Sequence, residues 1–134
     1  MPCRPLVAER APERGSAVVD FALVMALLVP IVLGIVQTGL VLHVRNTLTA
    51  AASDGARAGA RFGAGPEDAA ARARELVTAA LADSFAQDVS ARNTVLEGVP
   101  TVEVVISAEV PTLGLLGPAV NLRVDGHAVQ EIVP

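Results

Sequence analysis

FALVMALLVPIVLGIVQTGLVL, residues 21–42, is the stretch that decides the fold of this chain. It contains no charged residue, and Gln37 and Thr38 are its polar side chains. An α-helix rises about 1.5 Å per residue, so this stretch makes a helix of roughly 33 Å. The hydrocarbon core of a bilayer is roughly 30 Å thick. We therefore predict one tilted transmembrane helix, which divides the chain into a short leader and a longer C-terminal part.

The composition argues against a nucleic-acid partner. The chain has 134 residues and a net charge of −4, and residues 1–42 hold three Arg and three acids. The excess of acid therefore lies in residues 43–134, whereas phosphate binding needs clustered cations. Base stacking needs aromatic side chains, and the chain has three Phe and no Trp or Tyr.

The sequence contains no grouping of residues that is typical of an active site. Cys3 is the only cysteine, which excludes an intramolecular disulfide and a thiolate metal site. His43 and His127 are the only histidines, and neither has a second ligand at metal-binding spacing. No phosphate-binding loop and no nucleophile elbow occurs. We expect a protein that is not an enzyme and has no cofactor and no metal.

The residues before the span leave its orientation open. Residues 1–14 contain three prolines and mixed charge, without apolar periodicity, so we expect a disordered leader. The three Arg of this leader favour a cytoplasmic N-terminus by the positive-inside rule. Three further arginines follow the span, which makes charge alone indecisive: Arg45, Arg57 and Arg61.

Two polar residues mark the start of the span. Ser16 is predicted to cap a helix that begins after it. Asp20 stands at the mouth of the apolar run, where a carboxylate is costly, and is therefore a functional candidate. The alternative is that Asp20 lies among the lipid headgroups, where an acid near a helix N-terminus suits the helix dipole.

The helix is expected to continue beyond the span through residues 43–62, which contain no proline. Four small residues follow one another at four-residue spacing: Ala51, Gly55, Gly59 and Gly63. Such a line allows a second helix to approach closely. The alternative explanation is that Ala and Gly are simply frequent in this chain. The run Gly63-Ala-Gly-Pro66 is expected to end the helix.

The remainder predicts a small α+β domain. An apolar stripe predicts an amphipathic helix over residues 66–85. Residues 86–100 indicate loops, with a short extended piece around 94–96. Alternating apolar residues predict antiparallel strands over 101–110 and 120–130, with the helix packed on one face. Between them, three leucines form either an exposed patch or part of the core: Leu113, Leu115 and Leu116.

Residues 14–63 resemble the TadE-like family, the pseudopilin-type proteins of tight-adherence (Flp-type) pilus systems. The resemblance lies in RGSAVVDFAL (residues 14–23), GIVQ (34–37), VRNTL (44–48) and AASDGAR (51–57), which occur in this order around the apolar helix. It covers about 50 residues closely. The remainder agrees with the family in outline, as a helix followed by strands.

The resemblance implies cleavage by a prepilin peptidase between Gly15 and Ser16. Residues 1–15 would then be a cleaved cytoplasmic leader, 16–42 the transmembrane helix and 43–134 an extracytoplasmic TadE-like domain. Asp20 would be the fifth residue of the mature chain, followed by Phe21, and could pair with the free N-terminal amine of a neighbouring subunit. The family usually has Glu at this position, and Asp is one methylene shorter.

Two functions of different classes compete. The first is a single-pass protein of the cytoplasmic membrane, a minor pilin or pseudopilin whose partners are prepilin peptidase and other pilin-like or Tad-system subunits. The second is an uncleaved anchored binding or accessory module. Neighbouring genes for a secretion ATPase and a prepilin peptidase would favour the first. A secretory signal peptide fits poorly, since the apolar run is long and no A-x-A site follows it.

Overall fold

The computed structural model describes residues 13–112 and 119–132. The leader residues 1–12, including Cys3, and the three leucines of residues 113–118 lie outside the described residues. The chain divides into two compact units, Met1–Val36 and Gln37–Pro134. The described part of the first unit is helical throughout. The second unit combines two helices with a three-stranded sheet, so the predicted α+β class is confirmed.

The first helix, α1, runs without interruption from Glu13 to Gly59 and contains Pro30. The prediction that Ser16 caps this helix is wrong, because the helix begins three residues earlier. A capping residue must have extended backbone, and no proline or other helix breaker separates residues 13–16 from the apolar run. The expected end near Gly63 is also too late. Two glycines in the last turns weaken the helix, and Gly63 has a φ of +79°.

The second helix, α2, comprises Pro66–Ala80. Pro66 occupies its first turn, where a missing N–H costs nothing, and Gly65 precedes it as the N-cap. The backbone N–H of Gly65 donates to Asp68 Oδ2 at 2.9 Å. The predicted extension of this helix to residue 85 is wrong. Ala82 has extended backbone, and residues 83–86 form a short 3₁₀ turn in which Phe85 still packs against the core.

The sheet has the order β1-β2-β3, with both neighbouring pairs antiparallel. The strands are β1 (Asp88–Leu96), β2 (Val99–Val110) and β3 (Val120–Val129). The strands predicted over 101–110 and 120–130 are confirmed. The expectation of loops over most of 86–100 is wrong. In β1 only Val89 is buried, so its alternation is weak, and its Asp, Ala and Asn are poor strand formers.

The core lies between the helices and one face of the sheet, which we call the inner face. On β2 the alternate residues Val102, Val104, Ile106 and Val110 are fully buried. From α1 the core receives Val44 and Leu48 together with several alanines, and from α2 three alanines and Val77. The opposite side of the sheet, which we call the outer face, carries polar and charged side chains.

Candidate functional site

The described part of the first unit presents a continuous apolar surface. Its large side chains are exposed, with Leu27 and Ile35 each 68% exposed. Within this helix, the most apolar window has no buried residue. Apolar surface of this extent is far larger than a soluble monomer leaves open. By length and composition, α1 can cross a membrane.

Gly15 and Ser16 lie in the first turns of α1 and are exposed. A Cβ added at Gly15 would meet no heavy atom within 4 Å. Within the described part of the chain, the peptide bond between these two residues is therefore accessible to another protein. A peptidase that needs an extended substrate would have to unwind only the terminal turn, the part of a helix that frays most readily.

Asp20 and Phe21 lie one turn further along α1. Both are exposed, and Phe21 is 63% exposed. Residues four apart lie on the same side of a helix, so Asp20 shares its side with Ser16. An amine created at Ser16 would stand about one turn from the Asp20 carboxylate of its own chain.

The small residues of α1 meet α2 of the same chain. A Cβ added at Gly55 would lie 2.7 Å from the carbonyl oxygen of Ala69 and 2.8 Å from Ala73 Cβ. At Gly59 it would lie 2.7 Å from the carbonyl oxygen of Gly65. Ala51 is buried, whereas Gly63 lies beyond the helix and faces open space. The second helix that this line approaches therefore belongs to the same domain.

Gly126 of β3 makes a comparable close contact that sequence reasoning missed. Its added Cβ would lie 2.5 Å from the backbone nitrogen of Ser53 and would also strike Ala52. A glycine inside a strand often marks the close approach of another backbone. This was the available signal, since Gly126 interrupts the alternation of β3.

A row of ionisable side chains crosses the outer face. Glu103 of β2 lies between Arg92 of β1 and His127 of β3, in direct register with both. The Arg92 guanidinium donates to Glu103 Oε2, and His127 Nε2 lies 3.4 Å from Glu103 Oε1. His127 Nδ1 lies 3.4 Å from Asp125 Oδ2. The hydrogen bond from Arg92 is the main cause that lowers the pKa of Glu103.

Sequence reasoning did not find this row, because its members are far apart in the chain and their register depends on β1. Among the described residues, no group of three His, Cys, Asp or Glu side chains is placed to hold a metal ion. The arrangement is that of a cross-strand ion-pair network, which stabilises the pairing of neighbouring strands.

Comparison with known proteins gives one family match. Residues 15–57 match the family described as TadE-like protein. No curated protein and no solved structure matches the chain. The matched segment begins at Gly15, includes Ser16 and Asp20, and ends in the part of α1 that packs on α2 and the sheet. Residues 15–57 of this chain are therefore similar to the TadE-like family, as the sequence resemblance predicted.

Proposed function

We propose that this chain is a membrane-anchored minor pilin or pseudopilin that contributes to the assembly of a Flp-type pilus and is not an enzyme. One observation carries the proposal. The segment that matches the TadE-like family contains the part of α1 whose large apolar side chains are left exposed. A helix with this surface needs a bilayer or other apolar helices around it.

The first part of α1 is proposed to serve as the anchor. Its apolar residues would span the inner membrane with the leader in the cytoplasm, and the domain of α2 and the sheet would lie outside. The alternative single-pass accessory module shares this topology. The two functions differ in whether the leader is removed and whether the helix then joins other pilin-type helices.

Cleavage between Gly15 and Ser16 is the step that we propose converts the anchor into an assembly subunit. It would create a new amine about one helical turn before Asp20. An ion pair between this amine and the Asp20 carboxylate of a neighbouring subunit would offset the cost of placing a carboxylate next to hydrocarbon.

Three variants in the native host test this proposal. Asp20→Ala should be processed and inserted normally but should reduce pilus assembly, and Asp20→Glu should retain assembly. Gly15→Leu should block processing. Immunoblots of membranes report processing, and electron microscopy of sheared surface material reports pili. Normal pili from Asp20→Ala would contradict the proposed ion pair. A mature-sized Gly15→Leu product would refute cleavage at this bond.

A further inference from the structure

The two edge strands of the sheet present backbone groups that are not used inside the sheet. β1 and β2 are joined by the two residues Glu97 and Gly98, so the flanking pair Leu96–Val99 exchanges hydrogen bonds. Pairs then alternate along the strands. The N–H and C=O groups of every second residue of β1 therefore point away from β2, namely those of Val89, Ala91, Asn93 and Val95.

The same alternation holds on β3. The Gln130 N–H donates to the carbonyl oxygen of Pro100 at 3.0 Å, so even-numbered residues face β2. The Glu131 N–H points the other way and donates to the carbonyl oxygen of Ala60 at 2.8 Å. The outward groups of β3 therefore belong to the odd-numbered residues Asn121, Arg123, Asp125, His127 and Val129.

Among the described residues, each edge has a hydrogen-bonding partner at one end. Arg74 Nη2 donates to the carbonyl oxygen of Val89 at 2.7 Å, and Glu131 closes the far end of β3. Between these caps, the described residues offer no backbone partner to either edge. Neither strand contains a proline, and both run in unbroken register with β2. These edges lack the bulges and prolines that commonly block strand addition.

We propose that β3 of one copy pairs in parallel with β1 of a second copy, so that neighbouring subunits form one continuous sheet. This inference rests on the proposed function, because it assumes several copies anchored in one membrane. The strand directions fit that assumption. β1 and β3 are both antiparallel to β2 and therefore run in the same direction.

The helix runs in this direction too. Gln37 Nε2 donates to the carbonyl oxygen of Pro111, at the end of β2, and Ala60 contacts Glu131, beyond the end of β3. Parallel pairing of β3 with β1 therefore places the Gln37 ends of both copies on the same side, and Gln37 is the residue at which each domain joins its apolar segment. Antiparallel pairing of two β3 strands would place them on opposite sides.

Side chains on the outer face select one register. With Arg92 of the second copy beside Asp125, opposite charges are neighbours, and Leu96 lies beside Val129. Leu96 is 44% and Val129 60% exposed in the single chain. A shift of two residues in one direction places Arg92 beside Arg123, which is repulsive. The opposite shift places Arg92 beside His127 and Leu96 beside Glu131.

The selected register also satisfies the free backbone groups. In a parallel pair, a residue whose N–H and C=O point toward the neighbouring strand lies opposite a residue whose own N–H and C=O point away. It forms its hydrogen bonds with the two residues that flank that opposite residue. Ala91, Asn93 and Val95 of the second copy would then bond to the outward residues of β3 from Arg123 to Val129. The outer faces of both copies would coincide, and their helices would all lie on the inner side.

Cysteine crosslinking of the full-length chain in membranes tests this pairing. In a Cys3→Ser background, one chain carries Leu96→Cys and a second carries Val129→Cys. A short bismaleimide should join the mixture into dimers and leave either variant alone monomeric. Within one chain β2 separates the two positions, and two strand spacings of about 9.6 Å exceed disulfide reach, so oxidation of a double variant would link only different copies.

Two results would overturn the pairing. One is the absence of dimers from the mixture, and the other is a homodimer from a single-cysteine variant, which would indicate two-fold contact. Ser90→Cys mixed with Val129→Cys is the matched control, since this pair is out of register and should not link. A processed, membrane-bound chain that fails to crosslink would contradict strand pairing and leave the proposed function standing.

A backbone variant separates hydrogen bonding from charge. Asp125→Pro removes an outward N–H and no hydrogen bond to β2. It should lower the crosslink yield by about tenfold, the effect of roughly one net hydrogen bond. Asp125→Ala, which keeps the N–H, should lower the yield less. Equal yields from the two variants would contradict a backbone-paired edge.

Discussion

At the scale of single residues, Glu103 is the best-connected charge of the described chain. Its side chain is 14% exposed and contacts one basic residue from each neighbouring strand, Arg92 and His127. The hydrogen bond from Arg92 outweighs the opposing effect of burial, so the pKa of Glu103 is lowered from its ordinary value of 4.5. The carboxylate thus links all three strands across the outer face.

This pKa shift predicts a loss of stability in acid. A carboxyl group whose pKa is lower in the folded state stabilises that state above its unfolded pKa. The stabilisation then falls as the pH drops from about 4.5 through the lower, folded value. Urea unfolding of wild type and Glu103→Gln across this range should show a smaller pH dependence in the variant. Identical pH dependence of the two proteins would show that Glu103 does not contribute to the loss of stability in acid.

The close contact between α1 and α2 at Gly55 predicts that a larger side chain at this position destabilises the fold. Gly55→Leu would force its side chain against the Ala69 carbonyl and should destabilise the fold by about 1–3 kcal/mol. Gly39→Ala is the control, because its added Cβ meets no atom within 4 Å and should change stability by less than about 1 kcal/mol. Unfolding in detergent measures both, and equal midpoints would contradict the close contact.

The spacing of small residues predicted that a helix would approach α1, but it could not indicate which helix. Gly55 and Gly59 contact α2 of the same chain, and Gly126 contacts α1 from β3. Sequence spacing measures position along one helix and contains no information about its partner. Gly15 and Asp20, by contrast, could be selected as site candidates from the sequence alone, because both lie in one short motif.

At the scale of elements, the β1–β2 hairpin depends on its two turn residues. Glu97 has a φ of 51° and Gly98 a φ of 83°, as in a type I′ turn, where both central residues have positive φ. Glycine adopts this conformation without strain, whereas Glu does not. The turn sets the register of β1 and hence the position of Arg92 beside Glu103.

Substitutions in this turn should act in opposite directions. Gly98→Ala should destabilise the domain by about 1–2 kcal/mol, the cost of a Cβ in the left-handed region. Glu97→Asn should stabilise it, because Asn tolerates positive φ, while Glu97→Gln should have little effect. Thermal unfolding compares the three variants. Destabilisation by Glu97→Asn would contradict the assigned turn.

Apolar periodicity predicted the strands and α2 more accurately where more of an element's side chains are buried. β2 is central and has one fully apolar face, so its alternation was clear from Thr101 onward. β1 is an edge strand that buries Val89 alone, and its pattern resembled a loop. The end of α2 was predicted too late, because Leu81 and Phe85 contact the core from the turn that follows the helix. Their spacing continues the apolar stripe of α2.

At the scale of the whole molecule, the chain combines an apolar helical segment with a small domain that has its own core. The division falls within α1, after Val36. The apolar surface of the first unit was fully predictable from composition, since no charged residue occurs between Phe21 and Leu42. Strand β1 was not predictable in this way, because it buries Val89 alone, and the open edges of the sheet were not, because they depend on which strands pair.

Removal of the leader is the central claim of the proposed function. The intact mass of the full-length chain, expressed with its own peptidase and extracted from membranes, tests it most directly. We expect a mass that corresponds to loss of residues 1–15, with Ser16 at the new N-terminus. A full-length mass, obtained while the same peptidase cleaves another substrate, would contradict the proposal and favour the uncleaved anchored module.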